Sequence, residues 1–312
     1  MKQKQAILYL SRYGILIAFL ILIVLMSFLS PAFLKTTNIM NILRQTSING
    51  IVAVGMTLVI ILAGIDLSVG SVIALAAVIA ASFAHTDDYP LIVPVFAGLI
   101  TGALCGFLNG FIIAKRKIAP FIMTLAMMTI ARGAALVYTN GRPVIDLSDS
   151  YNKIGGSYFL GMPIPVIIFI VIILCGWFLL SRTVFGRHIY ATGGNKTAAE
   201  LSGIITNKII IWVYTIAGLL AGLAGIVLSS RVMSGSPATG QGYELDAIAA
   251  VVIGGTKLTG GVGTVFGTVI GVLIIGVMNN GLDLLNVSSY WQLVVKGIII
   301  LLAVVLKKKN LR

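Results

Sequence analysis

The chain has 312 residues, 58% of them hydrophobic and 10% charged, with a net charge of +13 and a mean hydropathy of +1.06. Soluble domains are about 45–50% apolar and about 25% charged, so this much apolar surface must be solvated by lipid. The basic residues fall in short clusters between apolar runs, as the positive-inside bias of membrane proteins requires, which argues against nucleic acid as a partner.

A membrane-crossing helix needs about 20 predominantly apolar residues. In chain order, the segments predicted to span are 13–33, 46–64, 67–85, 91–114, 119–139, 164–181, 209–230, 242–256, 262–281 and 290–306. The first exceeds the apolar core of a signal peptide, lacks a small-residue cleavage pattern and is followed by further spans, so it reads as an anchor. The expected fold is an all-α polytopic membrane protein of eight to ten transmembrane helices, best threaded with ten. It forms one membrane domain over 1–312, with a long polar loop at 182–208 between spans six and seven.

Ten spans put both termini on one side. That side gathers Lys2, Lys4, Arg12, Lys115, Arg116, Lys117, Arg182, Arg187, Lys196, Lys208, Lys307, Lys308, Lys309 and Arg312. The other holds Lys35, Arg44, Arg142, Lys153 and Arg231 with most of the acids: Asp87, Asp88, Asp146, Asp149, Glu244, Asp246 and Asp283. Both termini and the 182–208 loop are therefore expected in the cytoplasm.

Two apolar stretches carry a tight polar joint, "LAGIDLSVGS" at 62–71 and "IGGTKLTGGVG" at 253–263. Overlaid, Gly64 meets Gly255, Leu67 meets Leu258, Ser68 meets Thr259 and Gly70 meets Gly261, and "LNG" at 108–110 echoes "NNG" at 279–281. Internal repeats with broken or re-entrant helices at matching places mark transporters, because unwound backbone is tolerated only where protein or water encloses it. Chance similarity of glycine-rich turns is the simpler alternative.

Glycines recur every four residues at Gly98, Gly102, Gly106 and Gly110, at Gly263, Gly267 and Gly271, and at Gly218 and Gly222. Each set forms a smooth stripe for close helix packing; sliding surfaces are the alternative. Asp66, Arg132, Lys257 and Lys296 lie within or at the ends of apolar runs, where an unpaired charge is expensive. Asp66 is read either as a cap on the following helix or as a path-lining group paired with Arg132 or Lys257. Lys296 is read as snorkelling outward. Asn109, Asn279 and Asn280 are read as turn and cap residues, with substrate contact as the alternative.

Within the polar loop, "TAAE" at 197–200 has the capping-box form, Thr197 capping and Glu200 reaching back, and Gly203 supplies a left-handed stop. The expectation is a short helix over Ala198–Ser202, held by Gly193 and Gly194. Such a protrusion suits a groove on a soluble partner; an inert loop is the alternative. "GGNKT" at 193–197 lacks the glycine before lysine of a phosphate-binding loop and follows no strand. Cys105 and Cys175 lie in apolar runs, His85 and His188 fall in loops on opposite sides, and no catalytic set is visible. No enzyme and no metal site are expected.

The blocks "VGMTLVIILAGIDLSVGSVIAL" (54–75), "VYTNGRPV" (137–144), "FGRHIYATGGNKTAAELSGI" (185–204), "GYELDAIAAVVIGGTKLTGG" (242–261) and "NNGLDLLNVSSYWQLVVKGIIILLAV" (279–304) resemble the ribose and branched-chain-amino-acid permease family of bacterial ATP-binding-cassette (ABC) importers, the ribose member above all. The resemblance runs in register over about 30–306. It implies a multi-pass permease of the bacterial inner membrane, working beside a second permease copy. A sugar-binding protein outside would deliver substrate onto 142–163 and 231–246, and a cytoplasmic ATPase subunit would use the ATP and Mg²⁺, so this chain needs no cofactor. The ATPase-coupling role falls on Gly193, Gly194, Thr197, Ala198, Ala199, Glu200, Leu201 and Gly203. Family members for xylose, allose, galactose or autoinducer-2 are alternatives, and an ion-driven carrier is the rival mechanism. The translocation path is assigned to the joints and polar positions: Gly64, Asp66, Ser68, Gly70, Asn109, Gly254, Gly255, Thr256, Asn279 and Asn280.

Overall fold

The structure, a computed structural model, describes residues 2–85 and 89–309, with side chains from residue 14 to 298 and at 301. Asp87, Asp88 and Arg312 lie outside the described residues, as do the side chains of Lys2, Lys4, Arg12, Lys307, Lys308 and Lys309. In chain order the helices are α1 (Lys2–Leu29), α2 (Thr36–Ile61), α3 (Val69–Ala84), α4 (Ile92–Arg116), α5 (Pro120–Thr139) and α6 (Asp149–Gly156). A two-stranded hairpin, β1 (Tyr158–Phe159) with β2 (Met162–Pro163), precedes α7 (Ile164–Arg182), α8 (Val184–Gly194), α9 (Lys196–Leu201) and α10 (Thr206–Val232). The last three are α11 (Tyr243–Ile253), α12 (Val265–Leu284) and α13 (Ser289–Lys309).

Six of these, α2, α4, α5, α7, α10 and α12, are long and apolar enough to cross a membrane. The two exceptions that matter are α3, with 16 residues, and α11, with 11. At about 1.5 Å per residue, α11 covers little more than half of a ~30 Å hydrocarbon core, so 242–256 is not a spanning helix as predicted. The cause is local: Gly240, Gly242 and Gly255 all have positive φ, which ends regular helix on either side.

The joints end their helices alike. Leu62 N–H bonds Leu58 O, Ala63 bonds Ile60 O and Gly64 bonds Val59 O; Gly254 bonds Ala250 O, Gly255 bonds Val252 O and Thr256 bonds Val251 O. The left-handed positions of these two turns are Ala63 (φ 60°) and Gly255 (φ 97°). The equivalence is thus one residue off the overlay read from sequence, which matched glycines by identity where backbone geometry pairs an alanine with a glycine. The second echo fails: "LNG" lies in α4, whereas "NNG" lies in α12, the helix that follows its joint.

α2 is the central element, buried from Thr46 through Ile61, and α10 packs against it, α3 and α4. The glycine stripes face each other. A methyl group on Gly102 would overlap the Gly218 carbonyl, one on Gly106 the Tyr214 carbonyl and one on Gly222 the Gly98 carbonyl, so α4 and α10 touch backbone to backbone. On α12, Gly267 and Gly271 lie in the same way against the Gly254 and Ala250 carbonyls. Both stripes are surfaces of close backbone contact, as the packing reading expects.

Overpacking a tight core costs about 1–3 kcal/mol or more. Gly102→Leu is therefore expected to lower the melting temperature of the purified chain sharply, whereas Gly133→Ala, with nothing within 4 Å, leaves it unchanged or slightly raises it; differential scanning fluorimetry reads both.

Candidate functional site

The polar loop folds into α8 and α9. Asn195, not Thr197, caps α9: its Oδ1 accepts from Ala198 N at 3.0 Å. Thr197 therefore lies inside the helix, which runs Lys196–Leu201 and starts two residues earlier than the capping-box reading placed it. Glu200 does not reach back; its Oε1 accepts the Thr206 hydroxyl at 2.6 Å and so ties α9 to the first turn of α10. The stop at Gly203 is present, with φ 83° and bonds from Gly203 N to Glu200 O and from Ile204 N to Ala199 O. Thr197, Ala198, Glu200 and Leu201 are exposed, Leu201 by 86%, while Ala199 is buried and anchors the helix.

Gly193 and Gly194 end α8 rather than forming a loop. Gly193 is buried against the Ile61 carbonyl, the last residue of α2, with no room for a methyl group. The α11–α12 joint meets the same point: Gly261 N donates to Ile61 O at 2.9 Å, and a methyl on Gly260 would overlap the Gly193 carbonyl. Tyr190, one turn earlier on α8, donates its hydroxyl to Gly263 O at 2.7 Å. The exposed helix α9 is thus a few residues from a junction where both broken joints and α8 touch through bare backbone.

Among the path residues, Asp66, Ser68 and Asn109 form one network. Asp66 Oδ1 accepts Ser68 N at 2.9 Å and Ser68 Oγ at 2.6 Å, and Asn109 Nδ2 donates to Ser68 Oγ at 3.0 Å. Asp66 is 1% exposed and makes no ion pair among the described residues. Arg132 instead donates to the carbonyls of Pro237 and Thr239, and Lys296 pairs with Asp246 at 3.0 Å rather than snorkelling. Asp66 accepts the backbone N–H of Ser68, the residue preceding α3, so it braces the entry to that helix without capping an N–H inside its first turn. The asparagines are not caps: all three sit inside helices and tie them together. Asn280 exchanges amide bonds with Asn38 at 2.8 and 3.0 Å, away from Asn109, and Asn279 donates to Asp246 at 3.3 Å.

The remaining path residues divide. Gly64 leaves room for the Tyr214 hydroxyl, and Gly70 meets Gly240 and Glu244 without a side chain between. Gly254 packs on Gly267, Gly255 holds the left-handed turn, and Thr256 is buried beside Gly263. What the sequence reading missed is a polar cavity of about 150 Å³ among α2, α11, α12 and α13, lined in part by Thr46, Asn49, Tyr243, Asp246, Asn279 and Lys296. The polar run on α2 from Gln45 to Asn49, broken only by Ile48, was the hint of it. Asn195 is of a residue type that favours caps, a signal the capping-box reading passed over; Tyr214, within an apolar run, gave none.

The family described as branched-chain amino acid transport system / permease component matches residues 38–304. The chain belongs to this permease family. Among its relatives, the permease resembles the ribose import permease protein of Escherichia coli K12, 52% identical over 299 residues, covering 95% of this chain and 93% of the relative. The ribose import permease protein of Bacillus subtilis is 50% identical over 303 residues, covering 96% and 94%. The D-allose transport system permease protein of E. coli K12 is 39% identical over 302 residues, covering 96% and 93%. No solved structure matches the permease.

Leaving a buried polar group without its partner costs about 1–3 kcal/mol. Ser68→Ala and Asn109→Ala are each expected to destabilise the permease by roughly that amount, and a double-mutant cycle read by thermal unfolding should show coupling of at least about 0.5 kcal/mol; strict additivity would refute the network. Asn195→Ala should cost about 1 kcal/mol, seen as a lower melting temperature, while Thr197→Ala leaves it unmoved.

Proposed function

We propose that this chain is the membrane-spanning subunit of an ABC importer, moving a monosaccharide from an external binding protein into the cytoplasm by alternating access. D-ribose is the substrate best supported, because the ribose permeases are 50–52% identical and the allose permease 39%. The observation that carries the reading is the placement of α9. A small exposed knob is anchored through Ala199, Asn195 and Glu200, and it adjoins the glycine junction that touches α2 and the α11–α12 joint. A soluble partner gripping α9 would push on bare backbone at both broken helices, with no compressible side chains to absorb the motion.

The rest follows from this assignment. ATP and Mg²⁺ belong to a cytoplasmic ATPase subunit that docks on Thr197–Leu201, with Glu200 holding the knob to α10. The non-helical stretch 62–68 with α3, and the turns of 233–242 with α11, each complete a crossing, which gives ten passes over one membrane domain, 1–312. Both termini then lie in the cytoplasm and the membrane is the bacterial inner one. A second copy completes the path, along which Gly64, Gly70 and Gly254–Thr256 form the broken backbone. The ends of the bundle agree with these sides: His85 bridges Leu147 and Val144 bridges Gly235 at the end opposite α9, where the binding protein would dock.

Leu201→Asp changes an exposed side chain and should leave insertion and folding intact. In proteoliposomes with the ATPase and binding protein, ribose uptake is expected to fall at least about tenfold, equivalent to ~1.4 kcal/mol of docking free energy, with less ATPase co-purifying. Uptake at the unmutated rate would remove the coupling assignment.

A further inference from the structure

Inside a lipid-facing bundle, polar groups without partners are expensive, so the polar cavity among α2, α11, α12 and α13 calls for an occupant. Thr46 Oγ1, Asn49 Oδ1 and Asn279 Oδ1 are buried there with no hydrogen-bond partner. Asn279 commits its amide N–H to Asp246, which leaves its oxygen as an open acceptor. Of the three charges lining the cavity, Lys296 Nζ is matched to Asp246 Oδ2 at 3.0 Å, and the exposed Asp283 accepts from Gln292 Nε2 at 2.8 Å. An anion would have to pull Lys296 off Asp246, whereas a neutral ligand leaves that pair standing.

We propose that this cavity is a subsite for a neutral polyhydroxylated ligand, a pentose-sized sugar, held by Thr46, Asn49, Asn279 and the Asp246–Lys296 pair. A hydroxyl group donates one hydrogen bond and accepts two, so a ring of hydroxyls fills open amide and hydroxyl acceptors and still accepts from Lys296. Tyr243 adds a flat aromatic wall. The size fits: the cavity is about 150 Å³, and a cavity on the order of 150 Å³ takes a six-membered ring. Sugar on its way through the bundle would pause here, between the first helix of one broken pair and both helices of the other. The subsite rests on the importer reading above but names a position within this chain that the reading leaves open.

The test is saturation-transfer NMR on the full-length chain in nanodiscs, with free D-ribose as the probe and empty nanodiscs subtracted. Transfer to ribose is expected for the unmutated chain, a loss of at least threefold in the isosteric Thr46→Val, and a loss of at least fivefold in Asn279→Leu. Absence of transfer in the unmutated chain means the cavity holds water only and overturns the proposal. So does equal transfer in both variants, or transfer to L-leucine that matches transfer to ribose. Ribose uptake by the complete assembly is a separate measurement. Loss of transfer with uptake intact removes the subsite alone; loss of uptake with transfer intact removes the importer reading alone.

Discussion

Backbone that stops being helical inside lipid must find other partners for its N–H and C=O groups, and the core of this molecule is arranged around that requirement. Two helices, α2 and α11, end within the bundle on the same turn. The Ile61 carbonyl at one of these ends is answered by Gly261 from the other joint, and Gly193 closes over it from α8. Asp66 takes the N–H of Ser68, the residue just before the helix that follows. Glycine occupies this junction because three backbones cannot approach so closely with even a methyl group between them.

Much of the fold was legible because lipid solvent makes apolar runs conspicuous. All ten predicted segments contain helix, and most of the long ones have nearly the predicted bounds, whereas α1 and α2 begin well before the predicted 13 and 46 because their first turns are polar. The misreadings came where period and length cease to decide. The 242–256 run is apolar apart from Glu244 and Asp246 near its start, but Gly240, Gly242 and Gly255 adopt positive φ and shorten the helix to 11 residues. The repeat was visible as a pair of joints, yet its register was hidden, since Ala63 holds a conformation that sequence alone assigns to glycine.

At the site, local chemistry was read better than long-range pairing. The short helix and its Gly203 stop were recoverable from spacing, although the cap was placed on Thr197 and backbone geometry puts it on Asn195, two residues earlier. Partners distant in the chain were not recoverable: Asn109 with Ser68, Lys296 with Asp246, Asn280 with Asn38. A polar residue in an apolar run announces that it has a partner but not which one. The cavity is the same problem enlarged, being assembled from four helices that contribute a few residues each.

One helix joins the two ends of the molecule. α10 begins at Thr206, bonded to Glu200 of α9, and its far end grips α6, where Ser229 Oγ meets the Tyr151 hydroxyl at 2.7 Å and Ser230 Oγ donates to Tyr151 O at 2.6 Å. Twenty-seven residues without a break make a strut of about 40 Å, braced along its length by α4. Whatever leans on the amphipathic cap at one face and whatever grasps the knob at the other therefore share a single lever, and neither can tilt its end while the opposite end stays still.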